Sequence, residues 1–250
     1  MKSLKIIFED NNYLILDKPA GILVHSDGRS KGESVTDWLS KKYPVLENVG
    51  GEIEVQHGEP VKRWGLVHRI DRETSGVLVV AKTQLAFDDL QKKFQERKVK
   101  KTYYAFVYGR VTIDHQVIEL PIGRSKTDFR RWSTGTDARG VMREAATEYR
   151  VIHKTNEVTF VEVMPKTGRT HQIRVHMRAA GNPIVCDPVY APLRKSVLGF
   201  DRLALHAGYI AFKSLTGEPI VAFAPYPKDF TEAFKNLGIE QIVAKNVPLC

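Results

Sequence analysis

The stretch Leu66-Val67-His68-Arg69-Ile70-Asp71-Arg72-Glu73-Thr74-Ser75-Gly76 runs straight into Val77-Leu78-Val79-Val80. Four consecutive branched apolar residues behind a cluster of turn formers have the composition of a strand buried on both faces. The polar residues before them then form the loop that enters that strand. With the loop extended between Arg69 and Asp71, both side chains leave the same face, because strand side chains alternate with a period of two. His68, Arg69 and Arg72 surround the Asp71 carboxylate with bases, which favours the charged form and suits a nucleophile or base better than an acid. A structural ion pair ahead of a buried strand has the same composition, so the residues alone leave both readings open.

Outward from that strand, alternating or apolar segments bounded by turn residues recur at 4–8, 13–17, 76–82, 101–108, 116–120, 145–153, 158–164, 209–212 and 220–223. Helical spacing of apolar residues is confined to 34–42, 84–97, 169–180 and 229–237. Strands outnumber helices, and hairpin-length turns such as Ser214-Leu215-Thr216-Gly217 join several of them. The pattern predicts an α+β fold around a mixed, mostly antiparallel sheet with flanking helices and loops. A doubly wound parallel sheet needs regular βα alternation, which is missing. No repeat and no Pro/Ser/Gly linker divides the 250 residues, so 1–250 reads as one domain, large enough to bury a core without disulfides or structural metals.

The chain carries 38 basic and 29 acidic side chains, a net charge of +9. The surplus is local: residues 91–200 hold 21 basic and 10 acidic groups, while residues 1–60 hold 7 and 10. A concentrated patch suits phosphate binding better than an even scatter, a solvated basic face being the plainer alternative. Cys186 and Cys250, the two cysteines present, support neither a disulfide framework nor a metal cluster and read as free thiols. Neither a signal peptide nor a membrane-spanning run is visible, so the expected compartment is the cytoplasm, with no membrane partner.

Three further segments carry chemistry. In Lys100-Lys101-Thr102-Tyr103-Tyr104-Ala105-Phe106-Val107-Tyr108-Gly109, Tyr104, Phe106 and Tyr108 share one face and Tyr103 the other. Aromatics after a lysine pair could stack a base, although burial in the core accounts for at least two of the three same-face rings. In Gly168-Arg169-Thr170-His171-Gln172-Ile173-Arg174-Val175-His176-Met177-Arg178, the apolar positions Ile173 and Met177 leave His171, Arg174 and Arg178 on the opposite face. This is the pattern of a phosphate-binding helix and also of any basic surface helix. Residues 123–141 read as a long irregular loop holding Arg124, Lys126, Arg130, Arg131, Arg139 and Trp132, suited to closing over nucleic acid. Phosphate-binding glycine loops, nucleophile elbows and zinc motifs are absent, so no cofactor, nucleotide cofactor or metal is called for.

Taken in order, these segments resemble the RluA-type RNA pseudouridine synthases. The family's H-R-L-D-x-x-T-S-G signature is similar to His68-Arg69-Ile70-Asp71-Arg72-Glu73-Thr74-Ser75-Gly76, with isoleucine in place of leucine. The first motif resembles Leu16-Asp17-Lys18-Pro19-Ala20-Gly21 with His25 following. K-x-Y-x-A-x-V-x-G matches 101–109, G-R-T-H-Q-I-R matches 168–174, and a late L-H-A matches Leu205-His206-Ala207. The likeness runs over about 13–223.

The resemblance implies a single catalytic domain over 1–250, without the small N-terminal RNA-binding module of many relatives. It implies a cofactor-independent enzyme, expected to be a monomer, that isomerises uridines to pseudouridine in structured ribosomal or transfer RNA. Asp71 matches the essential aspartate, Tyr103 the tyrosine that packs on the uracil ring, and Arg174 the basic partner of the aspartate. Arg69 matches the arginine thought to fill the space of an extruded base. His68, Lys101, Arg169, Arg130 and Arg131 are the further RNA-contact candidates. A non-catalytic RNA-binding protein on the same fold predicts decay of Asp71, Tyr103 and Arg174, and all three are intact. A metal-dependent nuclease or a glycosidase would need paired carboxylates that the motifs do not supply.

Overall fold

The computed structural model describes residues 4–25, 33–54 and 60–246, so Cys250 lies outside the described residues. In chain order the strands are β1 (Lys5–Glu9), β2 (Tyr13–Lys18), β3 (Glu52–Ile53), β4 (Val61–Lys62), β5 (Ser75–Ala81), β6 (Lys100–Tyr108), β7 (His115–Glu119), β8 (Ile122–Ser125), β9 (Trp132–Thr134), β10 (Ala138–Arg143), β11 (Ala146–Lys154), β12 (Val158–Pro165), β13 (Leu205–Lys213) and β14 (Pro219–Phe223). The α-helices are α1 (Val35–Lys42), α2 (Gln84–Gln95), α3 (Gln172–Ala179), α4 (Lys228–Leu237) and α5 (Glu240–Asn246). The chain forms two compact units, Met1–Lys100 with Ala207–Pro225, and Lys101–His206 with Tyr226–Cys250.

In the first unit, β2 lies between β1 and β5, antiparallel to both, with Tyr13 opposite Ala81 and Lys18 opposite Gly76. Every residue of β5 is buried, as its unbroken apolar run requires. Tyr13, Ile15, Val77 and Val79 pack with Ala86, Phe87 and Leu90 of α2 and with Phe212 and Ile220. Helix α2 starts where the Thr83 hydroxyl accepts the Ala86 amide hydrogen (3.2 Å). In its last turn the Lys93 ammonium, paired with Asp89, donates to the Lys213 carbonyl at 2.7 Å. Gly76 has φ +114°, and a Cβ there would stand 2.1 Å from the Ala207 carbonyl oxygen, so this position tolerates no side chain. Strands β13 and β14 form the expected hairpin, closed by the Ser214 amide on Glu218 (2.7 Å) and the Gly217 amide on Ser214 (3.1 Å).

The second unit is built on β6, β12, β11 and β7, each antiparallel to its neighbour. Tyr104, Phe106 and Tyr108 all enter its core. Phe106 meets Phe160, Phe200, Phe230 and Phe234 at ring separations of 4.8–5.8 Å, so α4 closes the core through aromatic packing.

Residues 123–141, expected to be an irregular loop, instead fold into a small antiparallel sheet in the order β10-β8-β9. Its strands are short, polar and mostly unburied, so no apolar alternation announced them. The pair β3–β4 and helix α5 are likewise additions to the expected elements. Among the described residues, no helix is long and apolar enough to cross a membrane.

Candidate active site

Within the first unit, the Asp71 loop is clamped before it reaches β5. Lys18, the last residue of β2, has no exposed surface. Its ammonium donates to the carbonyls of Pro19 (3.0 Å), Ile22 (2.8 Å) and Arg72 (3.0 Å). Three donors meet three carbonyls, which offsets the cost of taking the charge out of water. The grip is reciprocal: the Gly21 amide donates to the Arg72 carbonyl at 2.8 Å, and Arg72 Nε donates to the Gly21 carbonyl at 3.1 Å. Asp71 opens a tight turn closed by the Thr74 amide on its carbonyl (3.1 Å). The Lys-Pro-x-Gly motif thus holds the aspartate-bearing turn from behind.

His68 faces inward. Its Nε2 accepts the Val79 amide hydrogen at 3.0 Å, and its ring stacks on Phe94 of α2 with centroids 4.9 Å apart. The acceptor role places the neutral ring's proton on Nδ1. Ile70 is also buried, whereas Arg69 is exposed and Asp71 half-buried. His25, from the first motif, is pushed down to about 4 by burial, with the charges of Arg69 and Arg63 adding to the shift.

In the second unit, Tyr103 stands on β6 opposite Val163, half-buried against the core. Lys101, two residues earlier and so on the same face, has its ammonium pushed down to about 8 by burial. Arg174 lies in the first turn of α3. Its Nε donates to Asp187 Oδ2 and its Nη2 to Asp187 Oδ1, both at 2.8 Å, and both residues are buried. Asp187 Oδ1 also accepts the Val189 and Tyr190 amides at 2.9 Å, and the guanidinium lies 5.0 Å over the Tyr190 ring. A two-point carboxylate contact of this kind sets the plane of the guanidinium. The basic stripe expected on α3 is therefore not a solvated face: Arg178 is exposed, but Arg174 is turned inward by an acidic partner that lies 13 residues further along the chain.

Gln172 and His176 anchor the same helix. The Gln172 amide donates to the Ala146 carbonyl (3.0 Å) and Thr147 Oγ1 (2.9 Å), while its oxygen accepts from Thr167 Oγ1 (2.6 Å) and the Arg169 amide (3.0 Å). His176 Nε2 is 2.9 Å from the Leu120 carbonyl and so donates to it; Nδ1 then accepts from Thr147 Oγ1 at 2.9 Å. Burial lowers the His176 pKa, in keeping with a neutral ring in this relay.

The remaining candidates in the second unit have protein partners. Arg130 makes a two-point contact with Asp128 (3.1 and 2.8 Å), Arg131 Nε lies 3.4 Å from the same carboxylate, and Arg169 Nε donates to the Glu144 carbonyl at 2.9 Å. The Arg130 hydrogen bond holds the Asp128 carboxyl down to about 2. The sequence motifs nominate Asp71, Tyr103 and Arg174 but single out neither Lys18 as a clamp nor Asp187, Gln172, His176 and Tyr190 as supports. A lone acid in a cationic segment was the available signal for Asp187. Among the described residues, no group of three or more His, Cys, Asp or Glu is placed to hold a metal.

The architecture is similar to the solved structure of Human RNA Pseudouridylate Synthase Domain Containing 4, with TM-score 0.71 and 26% identity over 93% of this chain and 92% of that one. Human RNA Pseudouridylate Synthase Domain Containing 1 matches with TM-score 0.70 and 26% identity, covering 90% and 84%. The fold is that of the pseudouridylate synthases. A family model described as RNA pseudouridylate synthase matches residues 12–179, a span that includes Asp71, Tyr103 and Arg174. The chain is 36% identical over 235 residues to the Uncharacterized RNA pseudouridine synthase YlyB of Bacillus subtilis (strain 168), covering 94% of this chain and 73% of that relative. It is 36% identical over 244 residues to the Ribosomal large subunit pseudouridine synthase D of Zymomonas mobilis, again covering 94% and 73%. The chain belongs to the RNA pseudouridylate synthase family, isomerases that convert uridine to pseudouridine within RNA.

Proposed function

We propose that this protein isomerises specific uridines in structured ribosomal RNA, in the cytoplasm and without a cofactor, with Asp71 as the essential carboxylate. Ribosomal RNA is favoured over transfer RNA by the relatives named Ribosomal large subunit pseudouridine synthase D, in Zymomonas mobilis and Pseudomonas aeruginosa among others. The reaction breaks the bond from sugar C1′ to N1, forms one from C1′ to C5, and moves one proton from C5 to N1. No atom or electron is gained or lost, so the chemistry itself demands neither oxidant nor group donor.

Breaking the glycosidic bond puts positive charge on the sugar and negative charge on the departing uracil. A carboxylate fixed beside the sugar stabilises, traps or deprotonates it. The observation that carries this reading is the Asp71 turn clamped by Lys18, since a pre-positioned group does not have to reorganise as charge develops. Tyr103 holds the detached uracil by stacking while it turns and assists loss of the C5 proton. Arg174, its plane set by Asp187, supplies the cationic partner of the reaction.

Extruding a target base from folded RNA costs a few kcal/mol. Arg69, exposed on the Asp71 loop, is the residue that fills the vacated space in this reading, its exposure being what supports the role. Lys101, Arg169, Arg130 and Arg131 contribute positive charge to RNA docking, and His68 contributes by holding the loop. The test is incubation of the purified protein with unmodified large-subunit ribosomal RNA transcripts tritiated at uridine C5, with EDTA present. Release of tritium to water at discrete sites is expected; absence of release from every ribosomal transcript would contradict the proposal.

A further inference from the structure

The small sheet of β8, β9 and β10 borders an open pocket of about 440 Å3 lined by Arg124, Trp132, Arg139, Gly140, Val141 and Arg143. That volume lies within the ~300–1,000 Å3 range of sites for small ligands. No acidic residue lines it. Arg139 stands directly opposite Arg124 in the β8–β10 pairing, and like charges facing across two strands destabilise a sheet. Among the described residues, none of Arg124, Arg139 and Arg143 makes an ion pair, in contrast to Arg130 and Arg131, which share Asp128. The guanidinium of Arg124 lies 4.5 Å from the centre of the Trp132 ring, so a cation–π pair forms one wall of the cationic pocket.

Three arginines without an ion-pair partner among the described residues, one of them over an aromatic ring and donating to the Phe129 carbonyl at 3.4 Å, match the two parts of a nucleotide, a phosphodiester and a flat base. We infer that this pocket is a docking slot for one unpaired nucleotide of the RNA substrate, at a position other than the uridine that is modified. The base packs against the Arg124–Trp132 pair and Val141, and Arg139 and Arg143 hold the adjoining phosphate. The inference rests on the proposed RNA-modifying function for the identity of the ligand. The slot is tied to the Arg174 platform: the Trp132 amide donates to Tyr190 Oη at 2.9 Å, and the Tyr190 ring lies beneath the Arg174 guanidinium. Tyr190 Oη also lies 3.1 Å from Nδ1 of His171, the residue that caps α3.

The test measures equilibrium binding of the full chain to an unmodified large-subunit ribosomal RNA transcript over a range of KCl concentrations. Stacking losses on alanine substitution imply that Trp132→Ala weakens binding by about 5- to 150-fold with the salt dependence unchanged. Trp132→Phe keeps a ring and retains most of the affinity. The exposed pair Arg139→Gln with Arg143→Gln lowers the slope of log K against log salt by about 1.4, at ~0.7 for each phosphate contact on a single strand. Arg110→Gln, exposed and outside the slot, leaves the slope as it is. Trp132 also packs on the core around Ile122 and Tyr190, so the paired arginine variant keeps the test sound if the tryptophan variant fails to fold. Wild-type affinity in Trp132→Ala, or a slope in the arginine pair no different from that of Arg110→Gln, overturns the slot. A wild-type protein that binds through the slot but forms no pseudouridine would support the slot and refute the functional reading.

Discussion

Removing the Asp187 carboxylate separates the structural role of Arg174 from its chemical one. In Asp187→Ala, the buried guanidinium loses both of its 2.8 Å acceptors, and the Val189 and Tyr190 amides lose theirs. Breaking a buried ion pair from one side costs about 3–5 kcal/mol, because a two-point charge-assisted contact is lost while the other charge stays buried. Against a total stability of ~5–15 kcal/mol this is a large fraction, and for a chain of this length it lowers Tm by about 10 °C. Trp132 is the one tryptophan within residues 101–206 and 226–250, so urea unfolding followed by fluorescence in a Trp38→Phe/Trp64→Phe background reports on the second unit. Replacing both charges together, as Arg174→Met with Asp187→Leu, is expected to return stability to within ~1 kcal/mol of the parent, since apolar replacement of a whole buried pair is often neutral. Pseudouridine formation is expected to be lost in that double variant even so, because the cation is gone. A loss below ~1 kcal/mol in Asp187→Ala would refute the reasoning.

Lys18→Met strands the carbonyls of Pro19, Ile22 and Arg72, and is expected to cost about 3 kcal/mol and to slow turnover with Asp71 intact. Hydrogen exchange at the Thr74 amide, which closes the Asp71 turn, should accelerate; unchanged exchange would remove the clamp. Gly76→Ala forces a Cβ onto the Ala207 carbonyl oxygen and should cost at least ~3 kcal/mol, read as lost soluble yield or a lowered urea midpoint. Lys101 has a folded pKa pushed down to about 8 by burial, so the unfolded chain binds more protons between there and about 10.4. Its penalty on stability is full below pH 8 and fades as pH rises through that window. Lys101→Met should therefore be more stable than the parent by about 3 kcal/mol at pH 7, with the gap closing by pH 10.5; a gap independent of pH would count against the burial.

The strands that carry the fold were legible because each buries an apolar run or an alternating face: β5 is buried throughout, and β6 drives Tyr104, Phe106 and Tyr108 into one core. The β8-β9-β10 sheet was not legible, because Trp132-Ser133-Thr134 and the exposed β10 residues have no apolar period to read. The motif residues stood out as candidates because polar groups flanking a buried strand need a reason to be there. What supports them was hidden for physical reasons. Lys18 is a charge that burial statistics place outside, and the carbonyls around it work against that expectation. Asp187 meets Arg174 across 13 residues of irregular chain, a separation that neither helical nor strand periodicity can report. His68 reads as a cation for RNA, yet the Val79 amide occupies its Nε2.

The central claim is that the Asp71 carboxylate performs the isomerisation. Asp71→Asn keeps the size of the side chain and removes its charge. With C5-tritiated, unmodified large-subunit ribosomal RNA, the variant is expected to bind the transcript like the parent and to release no tritium above background. Release at the parental rate would contradict the account.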